Sequence, residues 1–406
     1  MRLLHTSDWH LGHLLLDHPR EREHAAFLHW LLDVIEAEAV DALLVTGDIF
    51  DGGNPPAAAQ AAWYGFLADA HRRRSSMTTV VIAGNHDSPA RLSAPSPLLA
   101  GVRAHVIGAL PRQASGAIDA ARVVVPLPRG DGSIAAWAVA VPFLRAGDLA
   151  EDSGAAVRAV YAEALSAARA RREPGQAIVA MGHLHVSGGE PSWMSERRVL
   201  VGGVEAIDAG GFGDDLAYVA LGHLHKAQRV GGEHVRYAGS PIPLAMGEAD
   251  YRHAIVLVEL DGERATSIRT VPVPRAVELR RVPRVAAPLD DVLAALAALP
   301  DAAAGDDREL APYVEVRVRL EKPEPHLRAQ IEQVMRGKHA RLVKISSELT
   351  GDRRALADGP PPESLAELDP REVLRRRWRR DHADDLPADV MAAFEQLLAE
   401  VEAAPP

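Results

Sequence analysis

Val80-Val81-Ile82-Ala83-Gly84-Asn85-His86-Asp87 runs from four apolar residues straight into a glycine, an amide, an imidazole and a carboxylate. A short apolar run that ends in a glycine turn has the length of a buried strand. The same grammar recurs along the chain. Residues 2–5 run into Thr6-Ser7-Asp8-Trp9-His10-Leu11-Gly12, and residues 42–45 into Thr46-Gly47-Asp48-Ile49-Phe50-Asp51. Residues 177–181 run into Gly182-His183-Leu184-His185, and residues 216–221 into Gly222-His223-Leu224-His225. Helical patterns lie between these runs. In 20–40, apolar residues at 27, 28, 31, 32, 34 and 35 form one stripe, and 57–74 and 155–172 are alanine-rich. Strand and helix in alternation predict a layered α/β domain.

The composition narrows the chemistry. The 406 residues are 47% hydrophobic and 25% charged, an ordinary globular balance with material for two or three domains. Disordered, collagenous and disulfide-stapled chains are excluded on that balance. With no cysteine, thiolate metal sites and cysteine nucleophiles are excluded too, so a metal has to be held by His, Asp, Glu or Asn. The net charge of −11 argues against a grip on DNA by bulk electrostatics, but leaves room for a local basic patch or for contact through bound cations. The first residues show no signal-peptide pattern, and no run of about 18 uncharged apolar residues occurs. A cytoplasmic protein without a membrane partner is expected.

Further along, 253–260 and 266–273 read as a hairpin around Asp261-Gly262, and prolines at 272, 274 and 283 mark a shift in composition. A first domain is expected over 1–275. Strands at 277–282, 313–320 and 341–346 and helices at 289–299 and 325–336 predict a small α+β domain over 276–350, the strict alternation of 313–320 marking a half-buried strand. Residues 351–364, with Pro360-Pro361-Pro362, read as a linker. A helical segment is expected over 365–406, starting at Asp369-Pro370-Arg371-Glu372, with a last helix at 387–402.

In α/β sheets, ligands bind in the crevice outside the carboxyl ends of the strands. Seven oxygen and nitrogen donors stand at such ends: Asp8, His10, Asp48, Asn85, His183, His223 and His225. They are too many for one ion. With Asp48 as a bridge sharing its two oxygens, they suit two, an arrangement that clamps a phosphoryl group and activates water. Carboxylate, amide and imidazole ligation without sulfur favours manganese, iron or zinc over calcium or magnesium. His86 reads as a proton or hydrogen-bond donor to the leaving oxygen, with Asp51 as the carboxylate that orients it. Asp and Asn after a strand are ordinarily turn formers, and one such motif alone means little. The ordered set of five, each at a strand end, is what lifts these residues out of that class. His5, His24, His29, His71 and His105 read as structural, His185 as a neighbour of the site or a surface residue, Asp87 as a turn cap and Arg91 as a solvated arginine.

This ordered set resembles the calcineurin-like metallophosphoesterases, and within them the SbcD family of nuclease subunits. Ala220-Leu221-Gly222-His223-Leu224-His225-Lys226-Ala227-Gln228 and Tyr237-Ala238-Gly239-Ser240-Pro241-Ile242-Pro243-Leu244 are particular to the latter, and Leu368-Asp369-Pro370-Arg371-Glu372-Val373 resembles its C-terminal segment. The resemblance implies a four-layer α/β/β/α sandwich with a small capping domain. It implies one Mn2+ on Asp8, His10, Asp48 and His225, a second on Asp48, Asn85, His183 and His223, and His86 as the catalytic histidine outside the ligand set. It further implies an ATP-linked double-strand exonuclease and hairpin endonuclease, a homodimer working with an SbcC-type ATPase on DNA ends. A phosphatase or small-molecule phosphodiesterase using the same centre is the alternative, and a metal-free scaffold a third reading. The 130-residue extension speaks against the alternative and the intact donor set against the scaffold. Residues 371–380 hold six arginines and one glutamate, with Val373, Leu374, Arg377 and Trp378 along one face. The resemblance places this helix against the base of the partner's coiled coil; a solvated charged helix and a DNA-binding helix are the other readings.

Overall fold

The apolar runs become the strands of two six-stranded sheets. The computed structural model describes residues 1–149, 154–192, 207–213 and 215–350, and in the C-terminal stretch Leu374, Trp378, Pro387, Val390, Met391 and Phe394. The first sheet orders its strands Arg264–Pro272, Ala254–Asp261, Arg2–Thr6, Ala42–Thr46, Thr78–Ile82 and Ala104–Ile107. The last four run parallel, and the hairpin Ala254–Asp261/Arg264–Pro272 closes the other edge antiparallel. The second sheet orders Gln228–Val230, Gly232–Tyr237, Tyr218–Gly222, Ala177–His183, Ile134–Ala140 and Val124–Pro128, again with a parallel centre.

The central strands are largely apolar because both of their faces are covered. Leu3, Leu44, Val80 and Ile82 share a core with the second sheet, while their neighbours Leu4, Leu43, Val45 and Val81 share another with the helices Glu21–Ala37 and Ala57–Arg73. Gly154–Arg171 covers the second sheet through Val157, Val160 and Tyr161. The order of layers is helix, sheet, sheet, helix, the four-layer sandwich expected from the sequence. His5 joins the two sheets across the middle, bonding the Tyr218 hydroxyl through Nδ1 (2.8 Å) and the Thr46 hydroxyl through Nε2 (3.0 Å). Burial pushes its pKa down to about 3, so it stays neutral there.

A third sheet of Leu279–Ala287, Tyr313–Leu320 and Arg341–Leu349 is packed by the helix Leu289–Ala297, which in turn meets the helix Leu327–Met335. The alternation in Tyr313–Leu320 is real, but its charged face is not fully open. Glu315 is buried beneath the Ser346 hydroxyl (2.7 Å) and Lys344 (3.4 Å). This module and the sandwich belong to one compact unit, 1–319 with 325–348; residues 320–324 and 349–406 form the other. Within the first unit, Leu15, Met246, Val277, Leu279 and Tyr313 share a small core. Of the C-terminal residues singled out above, Leu374 and Trp378 are helical and half-buried. Val373, Arg377, the linker 351–364 and the helix start at 369 lie outside the described residues.

Candidate metal centre

All five strand ends open on the same side of the two sheets, and the donors that follow them meet there. Three groups bring their ligand atoms within 4.8 Å of one another: Asp8, His10 and His225; His10, Asp48 and His86; and Asp8, Asp48 and His183. Asn85 and His223 complete the cluster, with Asn85 Oδ1 at 3.0 Å from His183 Nε2 and 3.1 Å from His223 Nδ1.

The glycines explain how two sheets come so close. A Cβ on Gly222 would collide with the Thr46 carbonyl and the Ser7 hydroxyl, and one on Gly47 with the His183 ring. Gly47 also holds φ at +92°, which only glycine adopts freely. The donors themselves sit on bent backbone. Asp8 (φ 53°), His10 (45°), Asp48 (49°) and His223 (100°) all occupy the left-handed region, at about 1–3 kcal/mol each. Trp9 secures the first turn. Its fully buried ring packs edge-on against Phe27, Trp63 and Phe66 at 5.1–5.4 Å, with its indole N–H on the Thr6 hydroxyl.

Three of the histidines are anchored through Nδ1. His183 Nδ1 donates to the Thr46 carbonyl (2.8 Å), and His225 Nδ1 donates to Glu248 (3.2 Å). His10 Nδ1 donates to the Asp51 carboxylate (3.1 Å). The sequence predicts that Asp51 orients His86 by its carboxylate; instead His86 Nδ1 donates to the main-chain carbonyl of Asp51 (2.9 Å). The short turn brings that carbonyl, not the side chain, beneath His86. Asp48 Oδ1 accepts the His86 amide (2.9 Å), and Oδ2 lies 3.5 Å from His10 Nε2 and 3.4 Å from His183 Nε2.

The electrostatics of the cluster favour a cation. Burial would raise Asp48, yet His183, His10 and His86 hold its carboxyl well below the usual range. Burial would lower His183, yet the Asp48 carboxylate lifts it to about 9. His223, buried and beside charged His183, is pushed down to about 3. Asp48 thus recruits onto His183 a proton whose positive charge a metal ion could supply instead. His10 Nε2 is buried, with no hydrogen-bond partner among the described residues, and stands beside Asp48. An orphaned imidazole nitrogen inside a ring of carboxylates and histidines fits a divalent ion and is costly otherwise.

Two neighbours escaped sequence reasoning. Glu248, 1% exposed, accepts from His225 Nδ1, and no motif in the sequence marks it. Phe143 lies against the rings of His183 (6.1 Å) and His223 (6.5 Å) at the end of a strand that bears no ligand motif. Asp87 behaves as a turn cap, accepting from Gly84, Phe50 and Ile49 amides at 2.9–3.2 Å. Arg91 is exposed, and His185 is half-buried.

Two facing sheets with carboxylates, an amide and histidines clustered at their strand ends define a metal-dependent phosphoesterase of the calcineurin-like class. The calcineurin-like phosphoesterase family model matches residues 1–227, and that of the type 5 capsule protein repressor C-terminal domain matches residues 275–382. Within that class the chain belongs to the SbcD family, the D-type chains of nuclease SbcCD. It is 40% identical to the SbcD chain of nuclease SbcCD from Rhodobacter capsulatus, over 91% of this chain and 92% of that one. The Escherichia coli K12 counterpart is 31% identical over 95% and 94%, and that of Bacillus subtilis 168 is 36% identical over 66% and 68%. Among the described residues, no helix is long and apolar enough to cross a membrane.

Proposed function

We propose that this chain is the metal-dependent DNA nuclease component of an SbcCD-type complex, cutting double-stranded ends and hairpins in DNA repair and recombination. The observation that supports it most is the buried, unpartnered His10 Nε2 among donors from five strand ends, in a chain of this family. Asp8, His10, Asp48 and His225 would hold one ion and Asp48, Asn85, His183 and His223 the other, Mn2+ being the favoured metal. Such ions clamp a phosphodiester and activate water. The protein does the rest. Thr46, Asp51 and Glu248 anchor Nδ1 of His183, His10 and His225 and so orient the rings, leaving Nε2 as the nitrogen that would face an ion. His86, with Nδ1 donating to the Asp51 carbonyl, stands beside His10 and Asp48 and, as the imidazolium carrying a second proton on Nε2, gives that proton to the leaving oxygen.

In the same reading, 276–350 caps the DNA and 365–406 docks an SbcC-type ATPase, the complex forms around a homodimer, and the protein works in the cytoplasm. The test is purified protein with Mn2+, with and without the ATPase partner, on linear duplex, hairpin DNA and a small phosphodiester. Cleavage of DNA that the partner and ATP stimulate is expected. Hydrolysis of the small diester alone would favour a phosphodiesterase.

A further inference from the structure

Arg145 lies beyond the end of Ile134–Ala140 and reaches across to the first sheet. Its Nη2 donates to the carbonyls of Asp87 (3.0 Å) and Gly84 (3.4 Å), which flank Asn85 and His86. Its guanidinium lies 5.4 Å from the centroid of Phe143, the ring that packs on His183 and His223. The segment is tied down by the Phe143 amide on the Ala83 carbonyl (2.9 Å) and the Arg145 amide on Asp148 (2.9 Å). Asp148 spends that contact on the main chain. Among the described residues, no carboxylate pairs with the guanidinium, and Nε and Nη1 make no hydrogen bond and are not sealed from solvent. Arg20, by contrast, is buried and paired with Glu23.

A guanidinium anchored at one nitrogen and open along its other edge is a fixed cation with the fork geometry that phosphate oxygens match. In a chain of net charge −11 it stands one aromatic ring from the metal ligands. We propose that Arg145 is a substrate-binding residue whose Nε and Nη1 hold a phosphate of the bound strand next to the one being cut. Phe143 stands between the guanidinium and the histidines, so Arg145 reaches the neighbouring phosphate and not the one between the ions. The proposal rests on the nuclease reading and adds to it the group that registers the strand.

The test compares Arg145→Gln and Arg145→Lys with wild type in the full chain. Duplex binding in EDTA is measured across salt concentrations, and Mn2+-dependent kcat/KM is measured on duplex DNA and on bis(p-nitrophenyl) phosphate, which has no second phosphate. Losing one phosphate contact lowers the salt slope by about 1. In Arg145→Gln, duplex cleavage is expected to fall about ten-fold more than hydrolysis of the small diester, the size of a lost charged hydrogen bond. Arg145→Lys, which keeps the charge, regains part of both effects. Equal losses on the two substrates with an unchanged salt slope would make Arg145 a brace for the Asn85–His86 turn and overturn the proposal. Wild-type cleavage and binding retained in Arg145→Gln would overturn it as well. A wild-type chain that hydrolyses the small diester but neither binds nor cuts DNA would remove the nuclease reading itself.

Discussion

Glu248→Gln changes one oxygen for one amide nitrogen and tests how the ligand set is built. Glu248 is 1% exposed, with Oε1 accepting from His225 Nδ1 (3.2 Å) and Oε2 from the Leu244 amide (2.8 Å). Both contacts require an acceptor, and glutamine offers only one. If its oxygen keeps Leu244, its NH2 faces the Nδ1 proton of His225. That imidazole then relieves the clash by moving its proton to Nε2, the nitrogen that the proposed ligation needs bare. If the oxygen keeps His225, the Leu244 amide is left buried without an acceptor. Either way the cost is about 1–3 kcal/mol. Loss of an outer carboxylate of this kind typically weakens metal affinity 10–100-fold, about 1.4–2.8 kcal/mol at 1.4 kcal/mol per decade, so the two routes agree. Titration of the chelated protein with Mn2+ against a competing chelator measures the affinity directly, with a melting curve as the control for folding. Mn2+ bound as tightly by Glu248→Gln as by wild type would refute the reasoning that His225 is a ligand oriented by Glu248.

Four further outcomes are expected. His86→Ala should keep both metals by elemental analysis yet lose about 10²–10⁴-fold in turnover; full activity would remove it from the mechanism, and loss of metal would make it a ligand. Asp48→Ala should lower affinity for both ions, and by more than loss of any single terminal ligand; two Mn2+ ions bound at wild-type affinity would exclude it as the bridge. His5 is neutral when folded, at about 3, and titrates near 6.5 when unfolded, so the unfolded chain binds the extra proton between those values. Its stabilisation is complete above 6.5 and is lost on acidification, by up to about 1.4 kcal/mol per pH unit. Denaturant midpoints of chelated protein at pH 7 and 5 should show the fall and His5→Gln a shallower one, whereas equal slopes would contradict the assignment. Removal of 360–406 should leave hydrolysis of a small diester but abolish co-purification with the ATPase partner and ATP-stimulated cleavage, and unchanged co-purification would sink the docking role.

What could be read from sequence divides along physical lines. The strands at 2–6, 42–46, 78–82, 177–183 and 218–222 announce themselves because each holds a short apolar run followed by a polar turn, in four of the five opening on a glycine. Ile134–Ala140 and Val124–Pro128 have no donor at their ends, and Pro126 and Pro128 break the pattern of the latter, so this half of the second sheet passes unread. Spacing assembled the donors but could not say which atom of a residue would be used. That is why Asp51 meets His86 through its carbonyl and His10 through its carboxylate. It is also why the placing of Asp48 Oδ2 beside His10 and His183, with Oδ1 on the His86 amide, could not be read from spacing. Glu248 becomes visible only when tertiary packing buries it beneath His225.

The central claim is a pair of ions sharing Asp48, and anomalous diffraction at the manganese edge from crystals grown with Mn2+ tests it most directly. Two peaks ~3.5–4 Å apart are expected, both against the Asp48 carboxylate, one also against Asp8, His10 and His225 and the other against Asn85, His183 and His223. A single peak, or two peaks that do not share Asp48, would contradict it.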